Sequence, residues 1–253
     1  MRPYILAETN WKALKDQEIN LAVLPWGATE AHNYHLPFST DNIMVEKIAA
    51  SAAGSAFSKG AKVIVLPAIP FGVNTGQMDI KLNINMNPST QYAILSDIAD
   101  VLNRHNILKF MILNGHGGND FKQMIRELGL KYPRLFICGC NWYQSFNNSD
   151  FFENSGGHAD EMETSMMQYI VPELVLPLSE AGEGRGKKFR ISALNEKWAW
   201  AERKWTQVTD DTGIGNPMKA DRIKGERCYE EVVGRISKFI IELSDADINN
   251  MYE

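Results

Sequence analysis

The chain has no apolar run long enough to cross a bilayer, and residues 1–20 are too polar to act as a signal peptide. Cysteine is scarce and odd in number: Cys138, Cys140 and Cys228. The first two sit inside an apolar run, so buried thiols are expected and a disulfide framework is not, which fits a reducing cytoplasm. No cluster of Lys and Arg and no RNA-binding signature stands out. The formal charge of −5 likewise argues against a nucleic-acid surface. Internal repeats and linkers are also missing, so one domain is expected over residues 1–253.

What is present is ordinary for a folded protein, with 44% hydrophobic and 23% charged residues, enough apolar material for a sizeable core. Short apolar runs alternate with helical patterns. Leu21 to Leu24 reads as a buried strand closed by Pro25 and Gly27, and Ala61 to Ile69 as a second, closed by Pro67 and Pro70. Lys109 to Leu113 and Arg134 to Cys140 complete four. Helical spacing predicts helices over Asn42–Lys59, from Ser89 or Thr90 to Asn106, up to Leu130, over His158–Val171, and over Asp221–Leu243. The segment KLNIN (81–85) is expected as a small edge strand, and residues 172–220 show no clear periodicity. This alternation predicts an α/β fold, a three-layer α/β/α arrangement around a mainly parallel sheet. In such sheets ligands collect beyond the carboxyl ends of the strands.

Side chains that divalent cations favour gather at those ends. Glu30, His32, His35 and Asp41 follow the first strand, and His116 follows the third within Asn114-Gly-His-Gly-Gly-Asn119. Glu30 and His32, two apart, point the same way in an extended segment. Asp41, just before a helix, can bridge two cations. Gly115, Gly117 and Gly118 permit tight turning and close backbone approach at the rim, with Gly117 and Gly118 offered to a substrate. Asn114 and Asn119 can satisfy backbone groups or orient ligands. Trp142 and Tyr143, after the fourth strand, are candidate walls for a flat substrate.

Each piece alone has a plainer explanation. A Glu-x-His pair is mostly surface decoration, and His35, beside Leu36 and Pro37, reads as a packed structural residue. The glycine loop could cradle a phosphate, which would make the chain a non-catalytic nucleotide- or phosphosugar-binding module. Asp160, Glu161 and Glu163 could merely complement a helix dipole. The joint placement at strand ends is what favours a metal centre.

The ordered motifs Glu30-Ala-His32, His35-Leu-Pro, Thr40-Asp41, Asn114-Gly-His-Gly-Gly-Asn119, His158-Ala-Asp-Glu-Met-Glu163-Thr-Ser, Thr212-Gly-Ile-Gly-Asn-Pro217 and Lys224-Gly-Glu226 resemble the creatininase (creatinine amidohydrolase) family. The resemblance implies a cytoplasmic hydrolase of the C–N bond of a small-molecule amide, often a hexamer, with one or two Zn²⁺, Mn²⁺ or Fe²⁺ ions per chain. It implies that Glu30, Asp41 and His116 hold one cation, and that His32 with the shared Asp41 holds the second. His158 and Glu163 match the pair near the substrate, with His158 as proton donor. Glu163 is left with three possible roles: proton relay, orientation of His158, or completion of the metal shell. Creatininase itself carries a glutamate two residues after the equivalent of His116, where this chain has Gly118. Other branches share the glycine, namely formamide-cleaving deformylases of flavin and deazaflavin biosynthesis and a peptidase that trims a peptide-derived cofactor.

Overall fold

A computed structural model describes residues 1–154 and 156–253. Four strands, β1 (Leu21–Trp26), β2 (Val63–Val65), β3 (Lys109–Asn114) and β4 (Phe136–Asn141), form one sheet in the order β2-β1-β3-β4. Every pairing is parallel. Five longer helices cover it: α1 (Thr40–Ser58), α2 (Pro88–Arg104), α3 (Lys122–Lys131), α4 (Glu161–Ile170) and α5 (Arg222–Asp245).

The period of two along each strand sorts side chains into two cores. Leu21, Val23, Met111 and Leu113 face one side, where Met44, Val45 and Ile48 of α1, Met162, Met166 and Met167 of α4, and Val232, Ile236 and Ile240 of α5 close over them. Ala22, Leu24, Trp26, Phe110 and Ile112 face the other, packed by Leu95, Ala99 and Leu102 of α2 and by Met124 and Leu128 of α3. The expected three layers are therefore present, with both faces of the sheet buried.

Several boundaries differ from the sequence expectation for identifiable reasons. Pro25 does not end β1 but lies within it. Its carbonyl accepts from Ile69 N–H at 3.0 Å, on the side where β2 has already finished at Val65, so its missing N–H costs no ladder bond. The second strand is only Val63–Val65, because the chain turns away through Pro67 and Pro70. The expected edge strand at 81–85 reduces to isolated bridges at Ile84 and Asn85. Helix α4 begins at Glu161 rather than His158. Asp160 caps it, its Oδ1 accepting from Met162 N at 3.0 Å and Glu163 N at 3.1 Å. His158 is thereby released to bridge with Ile214.

Residues 172–220 carry only short helical turns, as their lack of periodicity predicts. Cys138, Cys140 and Cys228 are all free, and only Cys228 is fully buried. Burial pushes the Cys138 and Cys228 thiols up to about 12 and Cys140 up to about 11, so all three stay protonated and inert. Among the described residues no helix is long and apolar enough to cross a membrane.

Candidate metal centre

The parallel sheet delivers the polar residues to one rim. Glu30 and His32 follow β1, His116 follows β3 by two residues, and Asp41 stands in the first turn of α1. Glu163 stands in the first turn of α4, three residues after the capping Asp160, with His158 just ahead of the cap. Both acidic side chains sit where the helix dipole favours negative charge.

These six side chains meet in a nearly solvent-free cluster. Glu30 and His32 are 1% and 0% exposed, and the remaining four do not exceed 8%. Their ligand atoms fall into three overlapping groups, each within 4.8 Å: Glu30, Asp41 and His116; His32, Asp41 and Glu163; and Glu30, His32 and His158. Asp41 divides its carboxylate between the first two. Its Oδ2 lies 3.0 Å from His116 Nδ1 and its Oδ1 lies 3.2 Å from His32 Nε2. Glu30 Oε1 is 3.0 Å from His116 Nδ1 and 3.6 Å from His158 Nδ1. Glu163 Oε2 is 3.8 Å from His32 Nε2.

Each imidazole is oriented by a backbone carbonyl. His32 Nδ1–H donates to Glu30 O at 3.1 Å, His116 Nε2–H to Val73 O at 3.0 Å, and His158 Nε2–H to Ala31 O at 2.9 Å. That bond fixes the tautomer and leaves the other nitrogen of each ring facing the carboxylates, the arrangement that prepares a histidine for a metal. His32 Nε2 is fully buried with no hydrogen-bond partner among the described residues. An unpaired imidazole nitrogen enclosed by three carboxylates is costly unless a proton or a cation sits there. The donor set, oxygen and imidazole nitrogen with no thiolate, fits a borderline divalent cation such as zinc or manganese.

The electrostatics match. Burial opposes charge throughout, yet the Asp41 carboxylate, helped by Glu163 and Glu30, lifts His32 to about 10. Glu30 and Asp41 likewise raise His116 well above its ordinary value. Against the same burial, His32 and His116 hold Asp41 down, and His116 and His158 hold Glu30 down. Burial dominates at Glu163, raising it to about 8, and at His158, which burial and the neighbouring His32 push down.

A raised imidazole value means that protons occupy the cluster when no cation does. Filling both groups is therefore expected to expel about three protons near neutral pH, from His32, His116 and Glu163, and cation binding is expected to weaken as pH falls. Titration calorimetry in buffers of different ionisation heat reads the count directly. The linked stability has a definite sign. His32, raised from 6.5 to about 10, stabilises the metal-free fold fully below about 6.5, and that contribution is lost as pH rises through about 10. Metal-free protein is thus expected to lose thermal stability in alkali.

The glycine loop does what its sequence suggests. Asn114 Oδ1 accepts from His116 N at 3.1 Å, and Asn114 Nδ2 donates to His116 O at 2.8 Å. Asn119 Nδ2 donates to Asn114 Oδ1 at 3.0 Å, completing the frame around the histidine. Gly117 is exposed, with open space where a Cβ would stand. Gly118 is different: a Cβ there would lie 2.3 Å from Val73 O and 2.4 Å from His116 Nε2. Val73 O thus occupies the space a side chain at 118 would need. Gly118→Glu is expected to destabilise the fold by about 1–3 kcal/mol through overpacking, without adding a ligand. A melting temperature unchanged within experimental error, together with higher metal affinity, would contradict this.

Other expectations divide. His35 is buried outside the three groups and bonds Thr164 Oγ1 at 2.8 Å, the packed role its neighbours suggest. Trp142 has no exposed surface and belongs to the core beside α1, so it offers no face to a substrate; this corrects its reading as a pocket wall. Tyr143 is half-buried, and burial with Asp41 and Glu163 nearby keeps its hydroxyl protonated, up to about 12. Trp205 also meets the cluster, set edge-on to His158 with centroids 5.2 Å apart. Its indole N–H is held by Thr212 O at 3.0 Å, and the Arg203 guanidinium stacks 4.6 Å from its ring centre. A cavity of about 320 Å³ lies beside it, lined also by Ile80, Thr206, Thr209, Asp210 and Thr212. Gln77, Asn83 and Val73, from the turn-rich segment, complete the surroundings and carry no motif that marks them in sequence.

Comparison with known proteins surrounds this geometry with relatives. Residues 7–240 match the sequence model of a family described as creatininase, creatinine amidohydrolase. A Mycolicibacterium smegmatis protein named mycofactocin precursor peptide peptidase is 25% identical over 224 residues, 85% of this chain and 82% of that protein. A solved Bacteroides fragilis protein, provisionally described as a creatinine amidohydrolase, superposes with a TM-score of 0.93 at 41% identity over 100% of both chains. A crystal structure of creatinine amidohydrolase (creatininase) shares the fold, with a TM-score of 0.78 at 20% identity over 96% of this chain and 99% of that one. Creatininase structures of the same fold include a manganese form and a zinc–zinc form.

Proposed function

The chain belongs to the creatininase family, and from that premise we propose that it is a two-cation amidohydrolase acting on a small peptide or peptide-like amide. The observation that carries the proposal is the set of three imidazoles. Each is tied at one nitrogen by a main-chain carbonyl and turns the other into one carboxylate cluster, where His32 Nε2 faces Asp41 Oδ1 at 3.2 Å and Glu163 Oε2 at 3.8 Å. Glu30, Asp41 and His116 would hold one cation; His32, Asp41 and Glu163 would hold the other. Such cations supply Lewis acidity, lowering the pKa of a water molecule from near 16 to about 7 and polarising an amide carbonyl.

The chain's own groups do the rest. His158 has Nε2–H committed to Ala31 O, so only Nδ1 faces the reacting centre. It can take a proton there from the attacking water and pass it to the departing nitrogen, which leaves as a neutral amine only once protonated. Glu163 places Oε2 toward His32 and accepts there from Ala159 N–H, a geometry that suits metal holding better than proton relay. Trp205 packs edge-on against His158 and bounds it on that side.

Gly118 and the peptidase relative favour the peptide over the creatinine ring. The formamide arm of the family remains part of the test. Metal analysis of purified protein, followed by a panel of short peptides, formamidopyrimidines and creatinine with and without chelator, is expected to give bound metal and chelator-sensitive peptide hydrolysis. Metal-free protein that stays metal-free after incubation with zinc or manganese would end the proposal.

A further inference from the structure

The turn-rich segment before α2 reaches into the cluster through a relay of amides whose direction can be fixed from a single group. Ala31 N–H can only donate, and it donates to Asn83 Oδ1 at 2.8 Å. Asn83 must therefore present Nδ2 at its other end, where it lies 2.6 Å from Gln77 Oε1. Gln77 in turn must present Nε2, and that nitrogen donates to Glu30 Oε2. The orientation of both amides follows from the main chain rather than from a choice between indistinguishable atoms. Ala31 also closes the relay, since its carbonyl holds His158 Nε2–H at 2.9 Å.

The consequence falls on Glu30. One carboxylate oxygen, Oε2, is occupied by Gln77; the other, Oε1, faces His116 Nδ1 at 3.0 Å and His158 Nδ1 at 3.6 Å. Gln77 is itself buried, 7% exposed, so solvent offers its amide no substitute partner. The same segment supplies Val73 O to His116. Two of the three residues of the Glu30–Asp41–His116 group are thus oriented by one loop.

We propose that Gln77 is a positioning residue of the metal centre, fixing Glu30 as a one-oxygen ligand through the relay anchored by Asn83. This rests on the metal-centre reading above and adds to it a residue outside the ligand set. Loss of an oriented hydrogen bond to a ligand weakens metal affinity by roughly 10–100-fold. Gln77→Met keeps length and volume while removing the amide, and chelator competition with zinc measures the dissociation constant on folded protein. The constant is expected to rise about 10–100-fold, and the metal-free protein to melt somewhat lower because Glu30 Oε2 and Asn83 Nδ2 lose their buried partner. A double-mutant cycle separates positioning from general loosening. In a Glu30→Gln background, Gln77→Met should change the constant by less than about twofold, because the carboxylate it orients is gone.

If Gln77→Met does not fold, Asn83→Ala, which frees the Gln77 amide to rotate, should weaken zinc binding in the same direction. A wild-type protein that binds zinc tightly alongside a Gln77→Met protein with an unchanged constant would overturn this inference alone. So would an equal effect of Gln77→Met in both backgrounds. A wild-type protein that binds no metal would overturn the proposed function instead.

Discussion

Asp41→Asn is expected to leave the protein without stoichiometric metal and to lower turnover at least about 10³-fold, the scale on which a preorganised electrostatic element matters. The reason is geometric. One carboxylate serves both groups, with Oδ2 toward His116 and Oδ1 toward His32, and an amide can replace only one of those oxygens. Its NH₂ donates rather than coordinates. The substitution also removes the charge that faces two raised imidazoles. Breaking such a buried arrangement costs about 3–5 kcal/mol when one partner is deleted, so circular dichroism must accompany the metal analysis. A folded Asp41→Asn protein that retains two ions would contradict the bridging role.

His158→Ala is expected to part metal content from rate. Glu30, Asp41, His116, His32 and Glu163 remain to hold cations, while the proton carrier at Nδ1 is gone. A loss of about 10²–10⁴ in kcat with KM little changed is the scale for a lost general acid–base group. His158 also lies within one ligand group with Glu30 and His32. Loss of a bound ion in parallel with the rate would therefore make it a ligand, and a normal kcat would remove it from the mechanism altogether.

Much of this site could be seen in the sequence because its elements are local. Glu30 and His32 sit just past an apolar strand, and His116 is framed by glycines and two asparagines that turn out to bond its own main chain. Parallel pairing then brings these strand ends to one rim, which the alternation of strands and helices already implies. The start of α4 was less legible: helical composition carries it back to His158, whereas Asp160 caps the helix so that it begins at Glu161.

What the sequence hid are contacts across long separations from segments with no periodicity. Gln77 reaches Glu30 across 47 residues, and Val73 reaches His116 across 43. Neither stands in a pattern that distinguishes it from an ordinary turn residue. Trp142 was readable as an aromatic near a strand end, but only packing shows that it is core, whereas Trp205 lies in the irregular stretch after residue 172. In that stretch Trp198 and Trp200 stand 75% and 85% exposed.

Anomalous diffraction from crystals grown with zinc or manganese addresses the bridged pair itself. Two peaks are expected, one on each side of the Asp41 carboxylate, the first contacting Glu30 and His116 and the second contacting His32 and Glu163. Peaks elsewhere on the protein, with none touching Asp41, would contradict the account.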